Sequence, residues 1–306
     1  MKILFITKDF TNRIEKSSYY LLEALKKKAN VVPSSEDGNI ETILKKIRFE
    51  PDFILLNDMK PSYCPYVRGF HRLHIPVGAI VHDLKYKPNQ RRQFYKEENI
   101  RFLFTHYRNA FKELFPELID RMIWFPHHVP TDIFNDYHLK RDIDILMMGS
   151  IYPRLYPMRA KFYEILKDEP NFVYHEHPGY LKIEDWQNVY AGEKYAREIN
   201  RAKIFVTCHS IDHFPLLKYF EVLACKTLLV ATPSKELEEL GFIDGETFVA
   251  VNEENIKEKI AYYLKNEKER KKISERGYEM VHNHHSTDKR VESLITHIKK
   301  IVKQNQ

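Results

Sequence analysis

Two stretches of the chain carry residue types at spacings that suit a phosphorylated ligand. In DHFPLLKYFEVLAC, residues 212–225, Lys218 and Glu221 fall on a predicted helix that follows a strand ending in TCHS. A helix N-terminus offers unpaired backbone N–H groups and positive potential, and both attract phosphate. Lys218 adds a mobile point charge, and a carboxylate at Glu221 can accept two hydrogen bonds from the vicinal hydroxyls of a ribose. The plain alternative is that both sit on the surface of a helix whose Phe/Leu stripe faces the core. In MMGSIYPRLYPMR, residues 147–159, Gly149 permits close backbone approach and Ser150 follows it. Arg154 and Arg159 then offer forked donors matched to phosphate oxygens. The alternative there is a surface loop in a basic protein.

Histidines supply a second kind of chemistry. AIVHDLKY, residues 79–86, puts His82 and Asp83 just past a strand end. A histidine there can exchange a proton near neutral pH or donate to a developing charge. Asp83 can equally cap the following segment. His106, in FTHY, also follows a strand and could line a cleft beside it. His127 and His128 lie where the two halves meet, which suits a hinge or a cleft wall as well as chemistry.

Metal readings are weaker. Asp142 and Asp144 in DIDIL imitate a DxD motif but open a core strand, so they read as strand-edge residues. HEH at 175–177 and HNHH at 282–285 have neither a thiolate partner nor HExxH spacing. No metal ligand is expected, and no cofactor is required.

These residues need elements to hold them. Apolar strand runs alternate with helical periodicity: KILFIT (2–7), a helix over 17–28, a short VV strand, a helix over 40–50, then strands over 51–58, 75–83 and 101–107. A helix over 108–115 and RMIWFP (121–126) complete a first α/β series. A second begins with DIDILMMGS (142–150), and strands near 171–176, 203–210, 227–233 and 246–251 alternate with helices. The expected fold class is α/β, with two doubly wound Rossmann-like domains of mainly parallel sheet. The expected boundaries are 1–130, a linker at 131–141, 142–280, and a helical tail at 281–306 packing back on the first domain. Such pairs place a ligand at the carboxyl ends of the strands, in a central cleft.

Composition narrows the classes. The 306 residues suit two ordinary domains, and 43% hydrophobic with 30% charged residues excludes global disorder. The formal charge of +6 is spread along the chain, which disfavours nucleic acid. Nine glycines leave little material for a glycine-rich nucleotide loop. Three cysteines without a CxxC pair read as free thiols. The opening MKILFITKDF is too short for a signal peptide, and no apolar run approaches the ~18 residues of a spanning helix. A cytoplasmic protein is expected. The Lys-rich segment 265–272 reads as a solvated helix face, or as a peripheral contact with the inner membrane face.

KYFEVLACKTLLVATPSKELEELGFIDGETFVAVN, then IAYYLKNEKERKKISERGYEMVHNHHS, resembles the carboxy-terminal half of GT-B glycosyltransferases of the group-1, GT4-like type. Within that type it is most similar to the transferases that include bacterial spore-maturation proteins. MMGSIYPR and FPHHVPTDIF resemble that family's turn and interdomain junction, and the likeness is looser over 1–130. The resemblance implies a metal-independent, hexosyltransferase-like reaction that moves a sugar from a nucleoside diphosphate to an acceptor. It implies that Arg154 and Arg159 neutralise the donor diphosphate, that Glu221 holds the ribose, and that His82 lies beside the transferred sugar or the acceptor. It also exposes two departures. His213, beside Asp212, stands where relatives often have an acid that contacts the sugar, and Lys226 stands where they usually have glycine. Those departures motivate the alternative of a non-catalytic sugar-nucleotide or glycan binder. A UDP-sugar 2-epimerase is a further alternative, but DHFPLLKYFE lacks the acid it would need.

Overall fold

A computed structural model describes residues 1–179 and 188–305. The chain forms two units: residues 1–12, 16–126 and 287–306 make the first, and 13–15 with 127–286 the second.

The first unit contains β1 (Lys2–Ile6), β2 (Asn30–Ser34), β3 (Gly38–Asn39), β4 (Phe53–Asn57), β5 (Val67–Arg68), β6 (Val77–Val81), β7 (Phe102–Thr105) and β8 (Met122–Trp124). Six of them form one parallel sheet ordered β2-β1-β4-β6-β7-β8, while β3 and β5 pair separately. Strands β4 and β6 are buried along their whole length, the signature of a sheet covered on both faces. Between them run α1 (Ser17–Lys28), α2 (Ile40–Ile47), α3 (Pro88–Glu97) and α4 (Arg108–Leu114). Asn39 starts α2 by accepting from the Glu41 N–H at 2.9 Å, and Pro88 opens α3 with its φ already set.

The second unit contains β9 (Ile143–Met148), α5 (Pro157–Leu166), β10 (Phe172–His175), α6 (Gly192–Asn200), β11 (Ala202–Thr207), α7 (Leu217–Ala224), β12 (Leu228–Ala231), α8 (Lys235–Glu239), β13 (Val249–Ala250), α9 (Ile256–Lys265) and α10 (Glu267–His284). Its sheet is parallel, ordered β10-β9-β11-β12-β13. The last helix, α11 (Thr287–Gln304), returns to the first unit. There Val291, Leu294 and Ile298 are fully buried in one cluster with Ile3, Phe5 and Leu25.

In both sheets the chain order reverses beside the first strand, between β1 and β4 and between β9 and β11. Crevices form at the carboxyl ends of the strands at such switch points.

Residues 131–141, expected as a linker, are part of the second unit. Phe134 is buried, the Tyr137 N–H donates to Asn200 Oδ1 at 2.9 Å, and Arg141 donates to Ala202 O and Thr227 Oγ1 at 2.6 Å. The segment reads as a linker because its backbone is satisfied by side chains, which leaves no periodicity. Residues 281–286, expected in the tail, also stay in the second unit, where His285 Nε2 donates to Leu240 O at 2.8 Å. No helix among the described residues is long and apolar enough to cross a membrane.

Candidate functional site

The second unit gathers charge at its switch point. Gly149 follows β9 with φ +128°, a conformation that side chains resist, and its N–H donates to His175 O at 3.0 Å. A Cβ there would stand 3.0 Å from Arg159 Nη1, so glycine also leaves room for that guanidinium. Arg159 rises from the first turn of α5 and is 3% exposed. Its Nη1 donates to Ser150 O at 3.0 Å and its Nη2 to Thr207 Oγ1 at 3.4 Å, so it bridges the ends of β9 and β11. The guanidinium lies 4.1 Å from the Tyr156 ring centroid, and its buried Nε–H has no hydrogen-bond partner among the described residues.

Lys218, in the first turn of α7, is half-buried and donates to the Tyr195 hydroxyl at 3.1 Å. Burial lowers its pKa, Glu221 opposes that shift and Arg159 adds to it. Glu221 follows one turn later, and its carboxyl is raised by burial against the pull of Lys218. No side chain caps the N-terminus of α7, so its first N–H groups are not taken by a capping oxygen. His177 belongs to this cluster too. Its pKa is pushed down to about 4, by burial first and then by the positive charges of Lys218 and Arg159. Sequence reasoning misses this role because HEH shows only its neighbours in the chain.

Arg154 and Arg159 differ in burial. Arg154 is exposed, in a turn tied to the next loop by the Ile211 N–H donating to Leu155 O at 2.8 Å. That loop carries His213, exposed with φ 56°, whose Nδ1 lies 3.1 Å from His209 Nε2. His209 Nδ1 faces the Ser210 carbonyl at 2.8 Å and must carry a hydrogen, so in the neutral pair His213 donates to His209. Lys226 stands apart at the end of α7, with φ 56° and its Nζ 2.7 Å from Glu275. Glycine suits that position because the backbone is left-handed there.

The first unit has its own buried network. Asp58, with φ 74°, accepts from the backbone N–H of His82 at 2.8 Å and from Arg91 Nη1 at 2.7 Å. Burial would raise this carboxyl, but Arg91 and His82 hold it below its usual value. His82 Nε2 lies 2.7 Å from Asn57 Oδ1, and His82 Nδ1 lies 3.2 Å from His106 Nε2. Tyr63 stacks on His82 at 4.3 Å, and burial pushes the His82 pKa down to about 4. His106 is buried and donates from Nδ1 to Phe125 O at 2.7 Å. Asp83 forms an ion pair with Lys60 at 2.9 Å. His127, expected at the junction of the two halves, belongs to the second unit, where its ring meets Phe220 edge-on at 6.1 Å.

Asp142 pairs with Arg201 and Asp144 with Lys203, which explains both as strand-edge charges. Among the described residues, no three His, Cys, Asp or Glu side chains converge to hold a metal ion.

Residues 155–296 match the sequence profile of a family described as glycosyl transferase-like. No curated protein matches the sequence. Among solved structures, a glycosyltransferase from Rickettsia africae is similar over 99% of this chain and 98% of its own, at 14% identity and a TM-score of 0.65. A sucrose-phosphate synthase from Thermosynechococcus elongatus is similar over 98% and 99%, at 12% identity and a TM-score of 0.68. Anabaena HepE, solved in complex with UDP and glucose, is similar over 98% and 99%, at 10% identity and a TM-score of 0.62. At these identities the likeness is one of fold, two Rossmann-like domains of the GT-B class.

Proposed function

We propose that the protein is a glycosyltransferase that takes a sugar from a nucleoside diphosphate, with uridine as the base, and passes it to an acceptor held by the first unit. The observation that carries this reading is the convergence of Arg159 and Lys218 beside Gly149 at the ends of β9 and β11. Two half-buried or buried cations with one carboxylate nearby suit a diphosphate at the mouth of an uncapped helix. The family profile over 155–296 supports the reaction class, and the UDP in Anabaena HepE supports the choice of base.

Chemistry follows from charge. As the bond between the anomeric carbon and the phosphate oxygen breaks, its electron pair stays on the diphosphate. Arg159 and Lys218 stabilise that charge more as it grows, so they lower the barrier rather than only tightening binding. This charge supply is the basis for a metal-independent reaction. Glu221 accepts from the ribose hydroxyls, Arg154 contributes from the rim, and His213 faces the sugar end. His82 and His106 serve the acceptor end, with Asp83 beside them. Within the fold class we place the chain with the group-1 type, on Gly149, Arg159 and Glu221.

Calorimetry with UDP, GDP, ADP and dTDP tests the proposal on the folded protein. UDP is expected to bind, and binding of none of the four would overturn the reading. Release of UDP from UDP-sugars in the presence of acceptors then separates a transferase from a non-catalytic binder.

A further inference from the structure

The first unit holds a cavity of about 230 Å³ beside the carboxyl ends of β1 and β2 and the first turns of α1. Thr7 and Ser18 form part of its wall, and both reach Asn57, at 2.9 and 3.4 Å. Asn57 is the residue whose Oδ1 meets His82, so the wall of the cavity is joined to His82 by two hydrogen bonds. None of the residues assigned above to the nucleotide lines it.

Its chemistry selects a ligand class. Two lysines and two carboxylates line it, and each is already engaged. Lys26 pairs with Glu23 at 2.8 Å and Lys8 with Asp37 at 3.6 Å. Asp9 accepts from the N–H and hydroxyl of Thr11 at 2.8 and 2.6 Å. With two lysines against two carboxylates the lining has no net charge, so it favours neither an anion nor a cation over a neutral ligand. The hydroxyls of Tyr19 and Ser35, by contrast, have no partner among the described residues. Phe10, Leu22 and Pro33 add an apolar wall that suits the C–H face of a sugar. The volume lies below the ~300–1,000 Å³ of pockets that enclose drug-sized molecules, which leaves room for about one ring.

From this we infer that the cavity binds a neutral, polyhydroxylated ring, and that the acceptor is an uncharged sugar seated there. The identification as acceptor rests on the transferase reading, whereas the binding itself does not.

Saturation-transfer NMR on the full chain tests the inference with methyl glucoside, methyl galactoside, methyl glucuronoside and inorganic phosphate. At least one neutral glycoside is expected to bind more tightly than the glucuronoside or phosphate. Ser35→Trp, at an exposed position on the rim, should weaken that glycoside at least ~10-fold by filling the entrance. Tyr19→Phe should weaken it ~3- to 10-fold by removing a hydroxyl. UDP affinity, read in parallel, should be unchanged in both variants, which also shows that they are folded. The inference is overturned if no neutral glycoside binds the wild type, if phosphate or the glucuronoside binds better, or if both variants bind the glycoside as the wild type does. A wild type that binds glycoside but no nucleotide would overturn the transferase reading and leave the sugar site standing.

Discussion

Arg159 and Lys218 differ in how burial treats their charge. A guanidinium keeps its proton when buried, so Arg159 is a fixed cation that closes the crevice between β9 and β11. Arg159→Met should weaken UDP by roughly 10- to 150-fold, from ~1.5–3 kcal/mol for a hydrogen bond to a charged group, with calorimetry as the readout. Arg154→Ala, on the exposed turn, should cost less than ~1 kcal/mol in the same assay. Lys218 is different, because burial lowers its pKa. It therefore loses its proton below the ~10.4 of an exposed lysine. UDP affinity should fall as pH rises on the alkaline side of neutrality, and Lys218→Arg should flatten that dependence. A wild-type affinity that stays constant across that range would argue against contact between Lys218 and phosphate. Glu221→Gln should weaken UDP about 10-fold while leaving inorganic pyrophosphate unchanged, because only the former carries a ribose.

At the level of elements, the ends of α7 explain two departures that looked alike in sequence. The start of α7 carries Lys218 and faces the crevice, while Lys226 sits at the other end, in a left-handed C-terminal turn. Lys226→Gly removes ~1 kcal/mol of backbone strain and an exposed ion pair of similar or smaller size. Thermal unfolding should show stability unchanged or raised by up to ~1 kcal/mol, with UDP affinity unaffected. Lys226 is thus a matter of helix termination, and it carries no argument for lost activity. His213 is also left-handed, but it lies on the loop tied to the Arg154 turn, outside any helix. Gly149 was legible because a glycine after a core strand marks close backbone approach. The two arginines differ in burial for a related reason. Residues five apart in sequence fall on either side of the turn that leads into α5, and only one points inward.

Across the whole molecule, the chain crosses between units four times, at 12–13, 15–16, 126–127 and 286–287. The last crossing delivers α11 to the first unit, where Val291, Leu294, Ile298 and Ile301 are buried. Each such side chain stabilises by ~1.5–3 kcal/mol, so removal of 287–306 should unfold or aggregate the first unit. Limited proteolysis should show its strands cut while the second unit survives, and UDP should still raise the melting transition of that survivor. Survival of both units would contradict the assignment of α11 to the first core.

The sequence alone determined the alternation of strands and helices, because buried parallel strands must be apolar on both faces and surface helices on one. Gly149 and Lys218 lie at the ends of elements, as local pattern suggests, and Glu221 follows Lys218 by one turn of the same helix. Only the tertiary structure decided which cations share a crevice, that His177 joins them, that His82 has both ring nitrogens engaged, and that a sugar-sized cavity opens beside Thr7. Those are contacts between residues dozens of positions apart. Hydrophobic period encodes which face of an element is buried, but the side chains that meet at a switch point are set by strand order, which local pattern does not carry.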